Sequence, residues 1–318
     1  MRRRVSAAAG MAWQVVTGFV SDECPLMAAA ISYYTVFAMP PLLALLALLA
    51  GKFLAPAELQ TLLFDQVTSL AGTRSAGQII EVVQNVSRPN LSGPTAVVGL
   101  VAVTFGATSA FVQLRRAMNR TWGVAPDPRR GDVHTFMVKR AVSLFMILVV
   151  GVLILLLVTV STLLSVFHNA IQYYAPPALA TGALPVADAI TSLVVVTGLF
   201  TAMLRNVPDA VIRWRDALAG GMFTGVLFTA GKLAIGYYLG RSDLASVYGA
   251  AGSLAVALFW VYYSAGILLL GAEFTRVWAC RRGASVEPRK GAVRVEWRER
   301  PLDEVQGPAS STQSIEET

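Results

Sequence analysis

Charge is what this sequence has least of. Asp, Glu, Lys and Arg together make up 14% of its 318 residues, against about a quarter in an ordinary soluble domain. With 55% hydrophobic residues, that shortage excludes a water-soluble globular fold. Histidine is reduced to His134 and His168, too few for a histidine metal cluster. The two cysteines, Cys24 and Cys280, exclude a disulfide framework. No Walker A loop, GxSxG elbow or HExxH helix occurs, so soluble-enzyme chemistry is not expected, and neither is a metal or cofactor.

What the sequence has instead is long apolar runs. Leu26 to Gly51, Pro94 to Leu114, Ala141 to Phe167, Val186 to Leu204, Ala217 to Gly240 and Gly249 to Val277 each reach the roughly 20 residues that cross the ~30 Å hydrocarbon core. None alternates with period two, as a lipid-facing barrel strand would. The expected fold is an all-α polytopic membrane protein with six transmembrane helices within residues 26–280.

Basic residues set its orientation. Arg2, Arg3 and Arg4, the group from Arg115 to Arg140, Arg205, Arg213 and Arg215, and every Lys and Arg from Arg276 onward flank one side. Lys52, Arg74, Arg88 and Arg241 flank the other. Because basic flanks are retained in the cytoplasm, both termini are expected there, with the protein in the plasma membrane. The net charge of +7 then faces anionic lipid headgroups, the predicted partner. Nucleic acid is not expected, since no recognition motif accompanies the charge.

Residues 1–25 read as a cytoplasmic N-terminus with an interfacial helix. Although "MRRR" and the apolar stretch after it resemble a secretory signal, Gln14, Thr17 and the following Asp22 and Glu23 interrupt the pattern, and no small-residue cleavage site follows. At ~24 Å long, Val5 to Val20 is short for a span, so it is expected to lie in the headgroup region with Trp13 as an anchor. Between the first two spans, residues 52–93 carry Leu59, Leu62, Leu63, Val67 and Leu70, then Ile79, Ile80, Val82, Val83 and Val86. Both sets have helical spacing and predict two external amphipathic helices. Residues 281–318 are polar and proline-bearing, and are expected to form a disordered cytoplasmic tail.

Polar groups at membrane depth mark functional candidates, because they are costly there. Lys232 lies ~22 Å from one edge of its span and ~12 Å from the other at about 1.5 Å per residue. That exceeds the roughly 6 Å a lysine stem can snorkel, so an interior partner or polar cavity is expected. Glu273 sits about 13 Å away in depth by the same arithmetic, which speaks against a direct pair. Tyr33, Tyr34, Tyr262, Tyr263, Ser253 and Asp22 complete the candidate substrate pathway. Pro40 and Pro41 remove backbone donors inside the first span and are read as its kink or hinge. Gly221 with Gly225, and Gly236 with Gly240, have the small-xxx-small spacing of helix packing.

The blocks "DECPLMAAAISYYTVFAMPPLLALLALLAG", "FGATSAFVQLRRAMNRTWGV", "VPDAVIRWRDALAGGMFTGVLFTAGKLAIGYYLGRS" and "SVYGAAGSLAVALFWVYYSAGILLLGAEFTRVWA" together resemble the YihY/virulence factor BrkB family of bacterial inner-membrane proteins. The resemblance covers most of residues 20–280. It implies six membrane helices with cytoplasmic ends, in agreement with the charge distribution. Its older label, ribonuclease BN, fits poorly with two histidines. Two functions remain open: a transporter-like permease for a small solute, ion or lipid-like substrate, and a non-transporting scaffold that supports the envelope through lipid or protein contacts.

Overall fold

The computed structural model of the chain describes residues 2–50, 109–128, 183–241 and 244–296, with side chains placed for 9–37, 109–128, 189–235 and 254–296. The external segment 52–93, the third span, most of the second, and both histidines lie outside these residues. The described architecture is mostly helical: α1 Arg2–Ser21, α2 Cys24–Ala50, α3 (109–121), α4 Ala183–Asn206, α5 Trp214–Arg241 and α6 Leu244–Arg281. Among the described residues three stretches are long and apolar enough to cross a membrane, Ala189–Asn206, Trp214–Ile235 and Leu254–Arg281. Ala9–Ser21 with Cys24–Phe37 could form a fourth, bent by 58°.

Helix α6 is the centre, touching α1, α2, α4 and α5. Its inner face contributes Ala265, Leu268, Leu269 and Ala272 to a core completed by Cys24, Ala28 and Ile31 of α2, Ala117 and Met118 of α3, and Phe200 and Leu204 of α4. The core's small members, Cys24, Ala28, Ala117, Ala265 and Ala272, are the kind that allow helix axes to approach in an apolar solvent.

The α5–α6 hairpin carries the same pentad on each helix, Gly220-Gly-Met-Phe-Thr224 and Gly271-Ala-Glu-Phe-Thr275. Each threonine hydroxyl donates to the carbonyl four residues back, Thr224 to Gly220 at 2.7 Å and Thr275 to Gly271 at 2.6 Å. Each then fills the space left by the glycine opposite. A Cβ at Gly220 would overlap the Thr275 hydroxyl, and one at Gly271 would overlap that of Thr224. Phe223 and Phe274 stack beside them, with centroids 4.3 Å apart and planes 6° from parallel. On the other side of α5, Gly221 and Gly225 lie against Thr201 and Thr197 of α4.

Two expectations are corrected on the basic side. The segment after Arg281 is not disordered through Glu296, and the fold is not purely α. Strand β1 Val124–Pro126 pairs antiparallel with β4 Ala292–Arg294, and β2 Ala210–Val211 pairs antiparallel with β3 Glu287–Pro288. Pieces this short need no core pattern of their own. They borrow one from a buried patch beneath them, Trp122, Val124, Ala210, Ile212, Ala217 and Ala279. Turns at Gly283 and Gly291, with φ of 76° and 89°, use the left-handed region open to glycine. Pro288, which lacks an N–H, sits in a two-residue strand where it breaks no long ladder.

Candidate functional site

The polar groups of this molecule gather where α1 meets α2. Helix α1 ends as Asp22 N–H donates to Gly18 O at 2.8 Å, and α2 begins with Met27 N–H donating to Glu23 O. Between them Glu23 has φ of 54°, a left-handed conformation that an L side chain adopts at a cost of roughly 1–2 kcal/mol. Such strain is retained where the surroundings fix it. Here Glu23 is held by an ion pair with Arg120 of α3 at 3.1 Å.

The bend sets Asp22 over α6. Below it, the Glu273 side chain is fully buried. Arg276, one turn on, turns back and donates from Nη2 at 2.7 Å and from Nε at 3.1 Å, both to Glu273 Oε2. The same Nη2 lies 3.9 Å from Asp22 Oδ2. Gly18 lets the α1 backbone settle on this pair, since a Cβ there would come within 2.7 Å of Glu273 Oε2. Two buried acceptors, Glu273 Oε1 and Asp22 Oδ2, receive no hydrogen bond from the described residues. Cys24 is buried beside the cluster, its Sγ 3.8 Å from Thr121 Oγ1. Among the described residues no three His, Cys, Asp or Glu side chains converge as metal ligands.

Beside the cluster, α1 and α6 enclose an open groove of about 570 Å³ lined by Gln14, Thr17, Gly18, Ser21, Arg276, Val277, Cys280 and Arg281. Arg281 fixes one wall, donating to Gln14 Oε1 from Nε at 3.0 Å and Nη2 at 2.8 Å.

A second network joins the loop after α4 to α3. Asp209 accepts from Arg115 through both carboxylate oxygens. It also accepts from Asn119 Nδ2 at 2.8 Å, while its own backbone N–H donates to Asn119 Oδ1 at 2.7 Å. From β3's end, Arg289 donates to the Asn206 and Arg205 carbonyls at 3.2 and 2.7 Å, satisfying acceptors that the end of α4 leaves open. Burial lowers the pKa of that guanidinium from its ordinary value, and the nearby Asp209 opposes the change.

The predicted site residues are divided. Asp22 and Glu273 are brought together. Lys232 is exposed among the described residues and has no ion pair or hydrogen bond with them; the third span and most of the second lie outside those residues. Ile190, Val194 and Leu233 are exposed among the described residues as well. Tyr33, Tyr34 and Tyr262 are exposed, whereas Tyr263 is half-buried and donates to Leu227 O at 3.2 Å. The helix backbone continues through Pro40 and Pro41 to Ala50, and a bend of 58° lies at the break between α1 and α2. The side chains of Pro40, Pro41, Gly236, Gly240 and Ser253 lie outside those described. Sequence reasoning passed over Arg276, Arg115, Asn119 and Asp209 as members of networks. The i,i+3 spacing of Glu273 and Arg276 was the available signal.

The profile of a family described as "Virulence factor BrkB" matches residues 15–296. The UPF0761 membrane protein of Pseudomonas paraeruginosa is 31% identical over 263 residues, covering 80% of this chain and 59% of its own length. That of Pseudomonas aeruginosa is 30% identical over 292 residues, covering 87% and 66%, and that of Legionella pneumophila 28% over 266 residues, covering 82% and 60%. The chain therefore spans less than two thirds of the length of these relatives. No solved structure matches it.

Proposed function

Since this chain belongs to the virulence factor BrkB family of membrane proteins, we propose that it is a transporter-like permease of the bacterial inner membrane, moving a small solute, an ion or a lipid-like molecule. The observation that carries this reading is the fully buried Glu273, held with Asp22 and Arg276 at the foot of a bent helix pair and beside a polar groove. Charged groups at membrane depth are expensive and mark substrate or ion pathways. The pathway is assigned to this cluster and not to Lys232. The protein crosses the membrane six times with both termini in the cytoplasm and works without a cofactor, as a carrier and not an enzyme. Its basic loops rest on anionic headgroups. The antiparallel pairs β1–β4 and β2–β3 support that orientation, because they gather three of the basic segments on one face.

Proteoliposomes loaded in turn with small anions, small cations and short-chain fluorescent phospholipids test the proposal. Flux of one class is expected in the native protein, its loss in Glu273→Gln, and no change in Lys232→Met. Flux that survives Glu273→Gln moves the pathway elsewhere. Maleimide labelling of the exposed Cys280 from the cytoplasmic side only checks the sidedness. Absence of flux for every class favours the scaffold reading, which the exposed apolar face of Leu218, Met222, Val226 and Leu233 supports as a surface for lipid or protein.

A further inference from the structure

The groups that face Glu273 can be counted on every element around it: Asp22 from the α1–α2 turn, Cys24 from α2, and Arg276 from its own helix. Glu23 and Arg120 neutralise one another beside the bend. Among the described residues, with the Cys24 thiol neutral, two carboxylates face a single guanidinium, and one negative charge is left over under the helices. An ionised carboxylate taken out of water without a partner costs several kcal/mol.

The hydrogen bonds show the same deficit. Arg276 directs both of its donors to Glu273 Oε2, so that Oε1 receives nothing, and Asp22 Oδ2 receives nothing either. The Asp22 and Glu273 carboxyls face the same guanidinium nitrogen, Arg276 Nη2. Ionised carboxylates only accept, so two of them brought this close lack a donor. Arg276 cannot supply it, with Nη2 2.7 Å from one carboxyl and 3.9 Å from the other. A metal cation would meet the guanidinium at the same point.

We propose that Asp22 and Glu273 together form a proton-binding site and share one proton at neutral pH. The proton makes one carboxyl an O–H donor to the other, a charge-assisted bond of the short, strong kind. It brings the cluster to zero net charge and removes both orphan acceptors. Two like charges facing one guanidinium disfavour one another. Loss of the proton leaves two like charges across the α1–α6 contact, and the separation that follows moves α1 at Gly18 and the groove it lines. The site stands independently of whether the protein transports anything.

Infrared difference spectroscopy of the full chain in liposomes tests it, following the protonated-carboxyl C=O band as pH is raised. The native protein is expected to show the band at neutral pH and to lose it on alkalinisation. Both Glu273→Gln and Asp22→Asn are expected to lack it, since in either variant the remaining carboxylate pairs one-to-one with Arg276. Asp22→Asn, at a partly accessible turn, carries the test if Glu273→Gln does not fold. A band unchanged in both variants, a native protein without one, or a band erased by sodium or calcium at constant pH would overturn the proposal.

Discussion

Over a single stretch, Gly271 to Arg276, helix α6 meets two neighbours by opposite means. Toward α5 it offers Gly271, Phe274 and Thr275, a neutral face whose hydroxyl donors are already bound within its own helix. Toward α1 it offers Glu273 and Arg276, a charged face whose hydrogen bonding is incomplete. The neutral contact depends on shape alone, and titration does not alter it. The charged contact depends on a balance of charges that a proton can change. The difference teaches that a membrane helix can be fixed on one side and responsive on the other within two turns.

Replacing one member of the charged contact should have the largest effect. Arg276→Leu leaves the Glu273 carboxylate buried without its cation, and breaking a buried pair in this way costs about 3–5 kcal/mol. Denaturant unfolding of the purified protein in bicelles should show the loss, with partial recovery in the double variant that adds Glu273→Gln. The neutral contact should give way to bulk. Gly220→Val drives a side chain into Thr275 and is expected to cost about 1–3 kcal/mol, the range for overpacking, equally at every pH. An effect of Gly220→Val that varied with pH would blur the distinction between the two faces. Smallest is Arg289→Ala, which uncovers the last carbonyls of α4 and should lower the unfolding free energy by about 1 kcal/mol, the net worth of an ordinary hydrogen bond.

Much of this arrangement is legible in the residues. Apolar run length foretold the helices, and the spacing of Gly221 and Gly225 pointed to the surface that receives Thr197 and Thr201. Asp22 and Glu273 stood out as acids at or near membrane depth. Their meeting did not, because a helical count gives depth along one rod and nothing about which neighbour the rod turns toward. The same gap holds for Lys232: depth excludes snorkelling, but the neighbours of the side chain depend on how the rods pack around α5. Arg276 was read as a flanking charge, since a basic residue near a span's end has the same sequence signature whether it orients the protein or neutralises an acid. The tail strands were missed because pieces of two and three residues carry no periodicity, and their partners are loops from distant parts of the chain.

The matched Gly-x-x-Phe-Thr pentads have a mechanical consequence. Sliding α5 along α6 by one helical turn, about 5.4 Å, would bring threonine against threonine or glycine against glycine and take each hydroxyl out of its glycine hollow, so the hairpin has a single seating and resists shear. Among the described residues the hairpin is thus the rigid block, and the 58° bend at Glu23 is the joint that the amino-terminal helix turns on.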